Sequence, residues 1–163
     1  MAEIRLIRID FRLIHGQVVT KWVKQAEADR IIIVNDTLAN DEFLGSVYKM
    51  AAPDDVRVSI FTVEKAMARW EKNQFKEGKV LLLFKSVEDA RALQEKGFPM
   101  ETVQIGGLGG GNGRMNTPSG ISFDAKDVAL LKEMQSAGTK VYIHVVPSQQ
   151  KFDLDQVVNK LDL

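Results

Sequence analysis

The chain has no cysteine, which excludes disulfides and thiolate-held metals and suits a reducing compartment. Neither charge is in excess. Its 22 Lys and Arg residues balance 22 Asp and Glu, and neither sign forms a long block, so nothing in the balance draws it to nucleic acid or an anionic bilayer. Long apolar runs are also missing: "VLLLF" at 80–84 is about a quarter of a membrane span. The opening "MAEIRLIRID" is interrupted by Glu3, Arg5, Arg8 and Asp10, so it lacks the apolar stretch of a signal peptide. The expectation is a cytoplasmic protein with no direct membrane insertion, which meets a membrane only through a partner. Histidine is scarce. His15 and His144 stand far apart, and without cysteine or an HExxH pattern they offer no transition-metal set.

What is present is the composition of an ordinary folded domain, 45% hydrophobic and 27% charged over 163 residues. A chain of this size can bury roughly two-thirds of its unfolded surface in one core. With no linker, repeat or low-complexity tract, one domain over residues 1–163 is expected. Short β-branched or leucine-rich runs mark strands at 4–9, 30–34, 56–61, 79–84, 102–106, 121–123 and 140–146. "IIIV" and "VLLLF" are apolar without alternation, as central parallel strands covered on both faces are. Helical patterns lie between them. In "GQVVTKWVKQA", for example, Val18, Val19, Trp22, Val23 and Ala26 share one face. Repeated strand–helix–strand units of this length predict an α/β fold: a single open, mostly parallel sheet of about seven strands with helices on both faces.

In such sheets ligands gather beyond the carboxyl ends of the strands. There the first strand ends in Asp10, Phe11 and Arg12, followed by His15, Gly16 and Gln17; the second ends in Asn35 and Asp36, the fourth in Lys85 and Ser86, the fifth in Gly106 and Gly107. A phosphoryl group on His15 would meet free N–H groups and the positive end of the helix starting near Gly16. Arg12 could grip its oxygens with two parallel hydrogen bonds. Asp10 could orient Arg12 or the second imidazole nitrogen. Each residue also has an ordinary alternative: His15 a hydrogen-bonded loop histidine, Arg12 a surface charge, Asp10 a turn residue, Asn35–Asp36 the cap of a following helix. His144 falls within the last predicted strand, as a side chain on a sheet face. The segment "GGLGGGNG" at 106–113 lacks the Gly-Lys-Ser/Thr ending of a nucleotide loop and does not follow the first strand. It reads as a flexible connection, with Arg114, Met115 and Asn116 exposed beyond it.

"RIDFRLIHGQV", then "RIIIVND", "AAP" before the third strand, "VQIGG" after the fifth and "VVPS" near the end together resemble one family. It is the enzyme IIB component of the mannose, fructose and sorbose class of the bacterial sugar phosphotransferase system, matched from about residue 3 to residue 158. The resemblance implies a phosphocarrier with no cofactor. His15 would accept a phosphoryl group from phospho-IIA on its Nδ1 nitrogen and pass it to a sugar held by membrane components IIC and IID, usually onto the hydroxyl at carbon 6. Arg12 would stabilise the phosphoryl group. Gly16, Gln17, Asn35, Asp36, Lys85, Ser86, Gly106 and Gly107 are rim candidates by strand-end position only. A phosphorylation-dependent regulatory module, binding a transcription regulator without sugar transfer, is the rival reading. The sugar and any homo-oligomerisation stay open.

Overall fold

A computed structural model of the chain describes residues 1–161. In chain order it contains β1 (Glu3–Asp10), α1 (Gly16–Ala26), β2 (Arg30–Val34), α2 (Asp36–Ala39), α3 (Glu42–Ala51), β3 (Arg57–Phe61), α4 (Val63–Asn73), β4 (Lys79–Phe84) and α5 (Val87–Glu95). Then follow β5 (Thr102–Gly107), β6 (Met115–Asn116), β7 (Ser122–Phe123), α6 (Ala125–Ser136), β8 (Lys140–Ile143), β9 (Phe152–Asp153) and α7 (Leu154–Val158). Seven strands form one sheet in the order β3-β2-β4-β1-β5-β8-β9. All its pairings are parallel except the last, β8 with β9.

The seventh strand is not the expected one. Residues 121–123 were expected in the main sheet, but Ser122–Phe123 pair with Met115–Asn116 in a separate two-stranded ribbon, and Phe152–Asp153 take the edge. Three apolar or small residues set the strand expectation for "ISF", whereas Phe123 is simply an anchor, fully buried beneath that ribbon. The strand expected over 140–146 stops at Ile143, so His144 lies just beyond it. Pro147 follows closely and cannot extend a ladder.

The uninterrupted apolar runs are central. Along β2, Ile31 and Ile33 face one core while Ile32 and Val34 face the other; Leu81 and Leu83 alternate with Val80, Leu82 and Phe84 along β4 in the same way. One core is closed by α1 through Val19, Trp22 and Val23, with Leu13, Ile14 and Leu38. The other is closed by α4, α5, α6 and α7. Five helices begin with side-chain caps: Asn35, Asp41, Thr62, Ser86 and Asp124 each accept a backbone N–H of the first turn, satisfying donors that a helix start would otherwise leave free. The start of α1 has no such cap and no acidic residue in its first turn.

Strand order explains where a site can form. β1 and β5 are neighbours, but the chain leaving β1 runs toward β2 and the chain leaving β5 runs toward β8. The loops therefore diverge and leave a crevice at the carboxyl ends of these two strands, the usual ligand position in an open α/β sheet.

Candidate functional site

Residues 11–15 bridge β1 to α1 across that crevice. The loop opens with a tight turn in which the Leu13 N–H donates to the Asp10 carbonyl at 2.9 Å. Leu13 holds φ at 58°, a left-handed conformation costly for a branched side chain. Its burial, and that of Ile14, secures the turn, since both sit in the core beneath α1. His15 is thus presented at the helix start by two anchored neighbours, in extended backbone, with its side chain making no cap bond. Gly16 follows at φ 48°, and Gln17 is exposed in the first turn.

Asp10 is the hub. Its side chain is 1% exposed. Oδ1 accepts from the Arg12 backbone N–H and from Arg12 Nε, both at 3.1 Å; Oδ2 accepts from Arg8 Nη2 at 3.1 Å, Arg12 Nη2 at 3.3 Å and His15 Nε2 at 3.2 Å. Burial is the largest influence on this carboxyl and works to raise its pKa. The hydrogen bond from the Arg12 side chain, the charge of Arg8, the Arg12 backbone N–H and the Arg12 charge together outweigh burial and hold Asp10 below the ordinary value of 3.8. An ionised carboxylate only accepts, so in the neutral ring Nε2 of His15 carries the hydrogen and Nδ1 the lone pair.

This shift has a consequence for acid stability. Because the folded value lies below the unfolded one, Asp10's contribution is complete above 3.8 and is lost as the pH falls through the folded value. Urea midpoints measured across the acid range should fall less steeply in Asp10→Asn than in wild type over that window. Parallel slopes would show that Asp10 does not carry this linkage.

The cluster also contains a residue that sequence reasoning passed over. Arg8, 3% exposed, lies on the same face of β1 as Asp10, two residues away. Burial lowers its pKa to about 10 against the charge and hydrogen bond of Asp10, so it is a cation at neutral pH. A charged residue inside the apolar run "IRLIRI" was the available signal.

Gly106 and Gly107, expected as rim contacts, touch the cluster by making room for it. A Cβ on Gly106 would overlap the Arg8 guanidinium; one on Gly107 would come within 2.9 Å of Asp10 Oδ1 and 3.0 Å of Arg12 Nη2. The Gly106 carbonyl accepts from Arg12 Nη2 at 3.3 Å. The remaining rim candidates lie further along the strand ends. Asn35 caps α2 and donates Nδ2 to Asp89 at 2.9 Å; Asp36 accepts the Val63 N–H at 2.8 Å; Ser86 caps α5. Lys85 is exposed and, with Phe11, Ser86 and Leu108, lines a cleft of about 450 Å³ beside the loop. Arg114, expected to be exposed, turns inward onto Asp124 and Asp127 at 2.8 and 2.9 Å, with a side chain only 10% exposed. Among the described residues, no group of three or more His, Cys, Asp or Glu side chains could hold a metal ion, and no helix is long and apolar enough to cross a membrane.

An imidazole with one nitrogen tied to a buried carboxylate, an open helix start and an arginine fork is a site suited to a phosphoryl group. Comparison with known proteins agrees in kind: residues 4–163 match the family of PTS system sorbose subfamily IIB components. The sorbose-specific EIIB component of Klebsiella pneumoniae is 35% identical over 158 residues, 97% of this chain and 96% of that protein. The mannose-specific EIIAB component of Escherichia coli strain K12 is 31% identical over 98% of this chain, which spans 49% of that longer protein. Among solved structures, manxB from Thermoanaerobacter tengcongensis superposes with a TM-score of 0.92 at 36% identity, covering 100% of this chain and 99% of that one. The chain belongs to the sorbose-subfamily IIB components of the sugar phosphotransferase system.

Proposed function

We propose that this protein is a histidine phosphocarrier in sugar uptake, with His15 as the covalent intermediate. The observation that carries the reading is the division of labour on the imidazole. Nε2 is occupied by Asp10, so Nδ1 is the nucleophile, at a helix start without a side-chain cap.

In the first transfer the Nδ1 lone pair attacks the phosphorus of a phosphohistidine on a IIA donor, a new N–P bond forms, and the donor's N–P bond breaks with its electron pair returning to the donor ring. In the second a sugar hydroxyl attacks the same phosphorus and gives up its proton to solvent, while the bond to Nδ1 breaks with its electron pair returning to the His15 ring. Charge spreads over three equatorial oxygens in a loose transition state, so the protein's contribution is positioning and preorganised positive potential. Arg12 supplies that potential. Its Nε and Nη2 rest on Asp10 and the Gly106 carbonyl while Nη1 has no hydrogen-bond partner among the described residues, and its side chain is 38% exposed at the mouth of the crevice. The N–H groups at the start of α1 supply the rest. Phe11, 39% exposed with the Arg12 guanidinium 5.5 Å from its ring centre, provides apolar surface for the donor to dock against. In this reading the protein works in the cytoplasm and reaches the membrane through IIC and IID.

The test is intact-mass analysis after incubation with phosphoenolpyruvate, the two general phosphotransferase proteins and an active IIA, followed by addition of membranes carrying IIC, IID and labelled sugar. An acid-labile gain of one phosphoryl group that passes to sugar is expected. No gain from an active donor overturns the reading, and a gain that never reaches sugar favours the regulatory alternative. Arg12→Ala should fold normally and take up the phosphoryl group about 10²–10³-fold more slowly, the usual cost of one lost transition-state donor. Wild-type rates in stopped-flow quench would remove Arg12 from the role.

A further inference from the structure

Arg8 makes no hydrogen bond to His15, yet four acceptors hold it in the site. Nη1 donates to Gln104 Oε1 and, at 2.8 Å, to the His144 carbonyl; Nη2 donates to the Val145 carbonyl at 2.9 Å and to Asp10 Oδ2 at 3.1 Å. The Trp22 ring centre lies 5.2 Å from the guanidinium carbon, and Trp22 Nε1 donates to the same Val145 carbonyl at 2.9 Å. Three of the four acceptors belong to β5 and to the chain just after β8, where the His144 N–H donates to the Ile105 carbonyl at 3.0 Å. The cation's position is therefore set largely by the Gln104 side chain and the two main-chain carbonyls after β8.

We propose that Arg8 is a positioning residue for phosphoryl transfer: a fixed counter-ion that locks Asp10 with Oδ2 on His15 Nε2 and Oδ1 on Arg12, with Gly106 as the clearance that admits it. This rests on His15 being the phosphoryl carrier. The reason a second arginine is needed lies in exposure. Arg12 is at the crevice mouth, and whatever share of its fork a phosphoryl group takes is withdrawn from Asp10. Arg8 is enclosed and cannot be competed for. It keeps the buried carboxylate neutralised while Arg12 divides its bonds, so Nε2–H keeps its acceptor and Nδ1 keeps its lone pair throughout. Formal charge points the same way. Arg8, Arg12 and Asp10 leave one net positive charge facing the incoming anion, whereas Arg12 and Asp10 alone would leave none.

Arg8→Met, Arg8→Lys and Gly106→Ala separate this role from a merely structural one, with circular dichroism and urea unfolding to confirm the fold of each full-length variant. Two readouts are taken: the His15 ring tautomer in the unphosphorylated protein, by long-range proton–nitrogen correlation, and the kinetics of phosphoryl uptake from phospho-IIA. Wild type should show Nε2 protonated. Arg8→Met and Gly106→Ala should give a tautomer mixture and a maximal rate about 10²-fold lower, with the KM for the donor unchanged. Because the three atoms nearest a Cβ on Gly106 all belong to the Arg8 guanidinium, Gly106→Ala should cost little more in the Arg8→Lys background, a non-additive result. A folded Arg8→Met variant with the wild-type tautomer and rate overturns the proposal. If that variant does not fold, Arg8→Lys and Gly106→Ala decide it by the same two readouts. Failure of wild type to take a phosphoryl group from an active donor would sink the carrier reading instead, and the tautomer would still decide whether Arg8 sets the ring.

Discussion

His15→Ala should take up no acid-labile phosphoryl group and should unfold within about 1 kcal/mol of wild type, since surface-side changes without a cap or core role are usually small. The argument for the first half is chemical. The chain has two histidines, and the other lacks the setting of His15: His144 follows β8 with no helix starting beside it, its Nε2 is paired with the Gln149 carbonyl at 2.9 Å rather than with a carboxylate, and its ring stands edge-on to Trp22 with centres 4.9 Å apart. The argument for the second half is structural. The His15 side chain is 25% exposed and its one hydrogen bond goes to an Asp10 that keeps both arginines, while the turn is held by Leu13 and Ile14. Intact mass before and after acid treatment, with urea unfolding alongside, checks both halves. Acid-labile phosphate persisting on the variant would place the carrier elsewhere.

How much of this could be read from the residues depended on whether the pattern was local. β2 and β4 came out at their observed bounds because uninterrupted apolar runs admit little else than strands buried on both faces. Asp10, Arg12 and His15, which the structure joins in one hydrogen-bonded cluster, could be singled out because they lie within six consecutive positions. Strand order was not legible. Nothing local says that β4 inserts between β2 and β1, and so nothing local brings the carbonyls after β8 under Arg8. Gly106 and Gly107 were singled out by strand-end position, and what their missing side chains make room for is the arginine–aspartate cluster. Asn35 and Ser86, singled out by strand-end position, spend their side chains as helix caps, the local alternative that a polar residue before a helix always carries. The strand expected at 121–123 pairs instead in the ribbon at 115–123, and the edge strand at 152–153 went unread, because two-residue pairings leave almost no trace of period two.

Asp10→Ala carries the largest expected effect on stability, a loss of about 3–5 kcal/mol, because breaking a buried pair from one side leaves its partner charge without compensation. Two cations converge on this carboxylate, and they are not equivalent. Arg12 can turn toward water from its place at the crevice mouth. Arg8 cannot, since its guanidinium is enclosed by Trp22, Gln104 and the main chain after β8 and keeps only uncharged acceptors once Asp10 is gone. The cost should therefore come almost entirely from Arg8. That attribution has its own signature: the double variant Arg8→Met with Asp10→Ala, which removes both buried charges, should be more stable than Asp10→Ala alone although it has lost one more native side chain. Urea unfolding of wild type, the two single variants and the double variant measures the coupling directly. A single-variant loss under about 1 kcal/mol, or a double variant weaker than Asp10→Ala, would mean that water or a shifted main chain already compensates Arg8, and that the carboxylate is held for chemistry rather than for the fold.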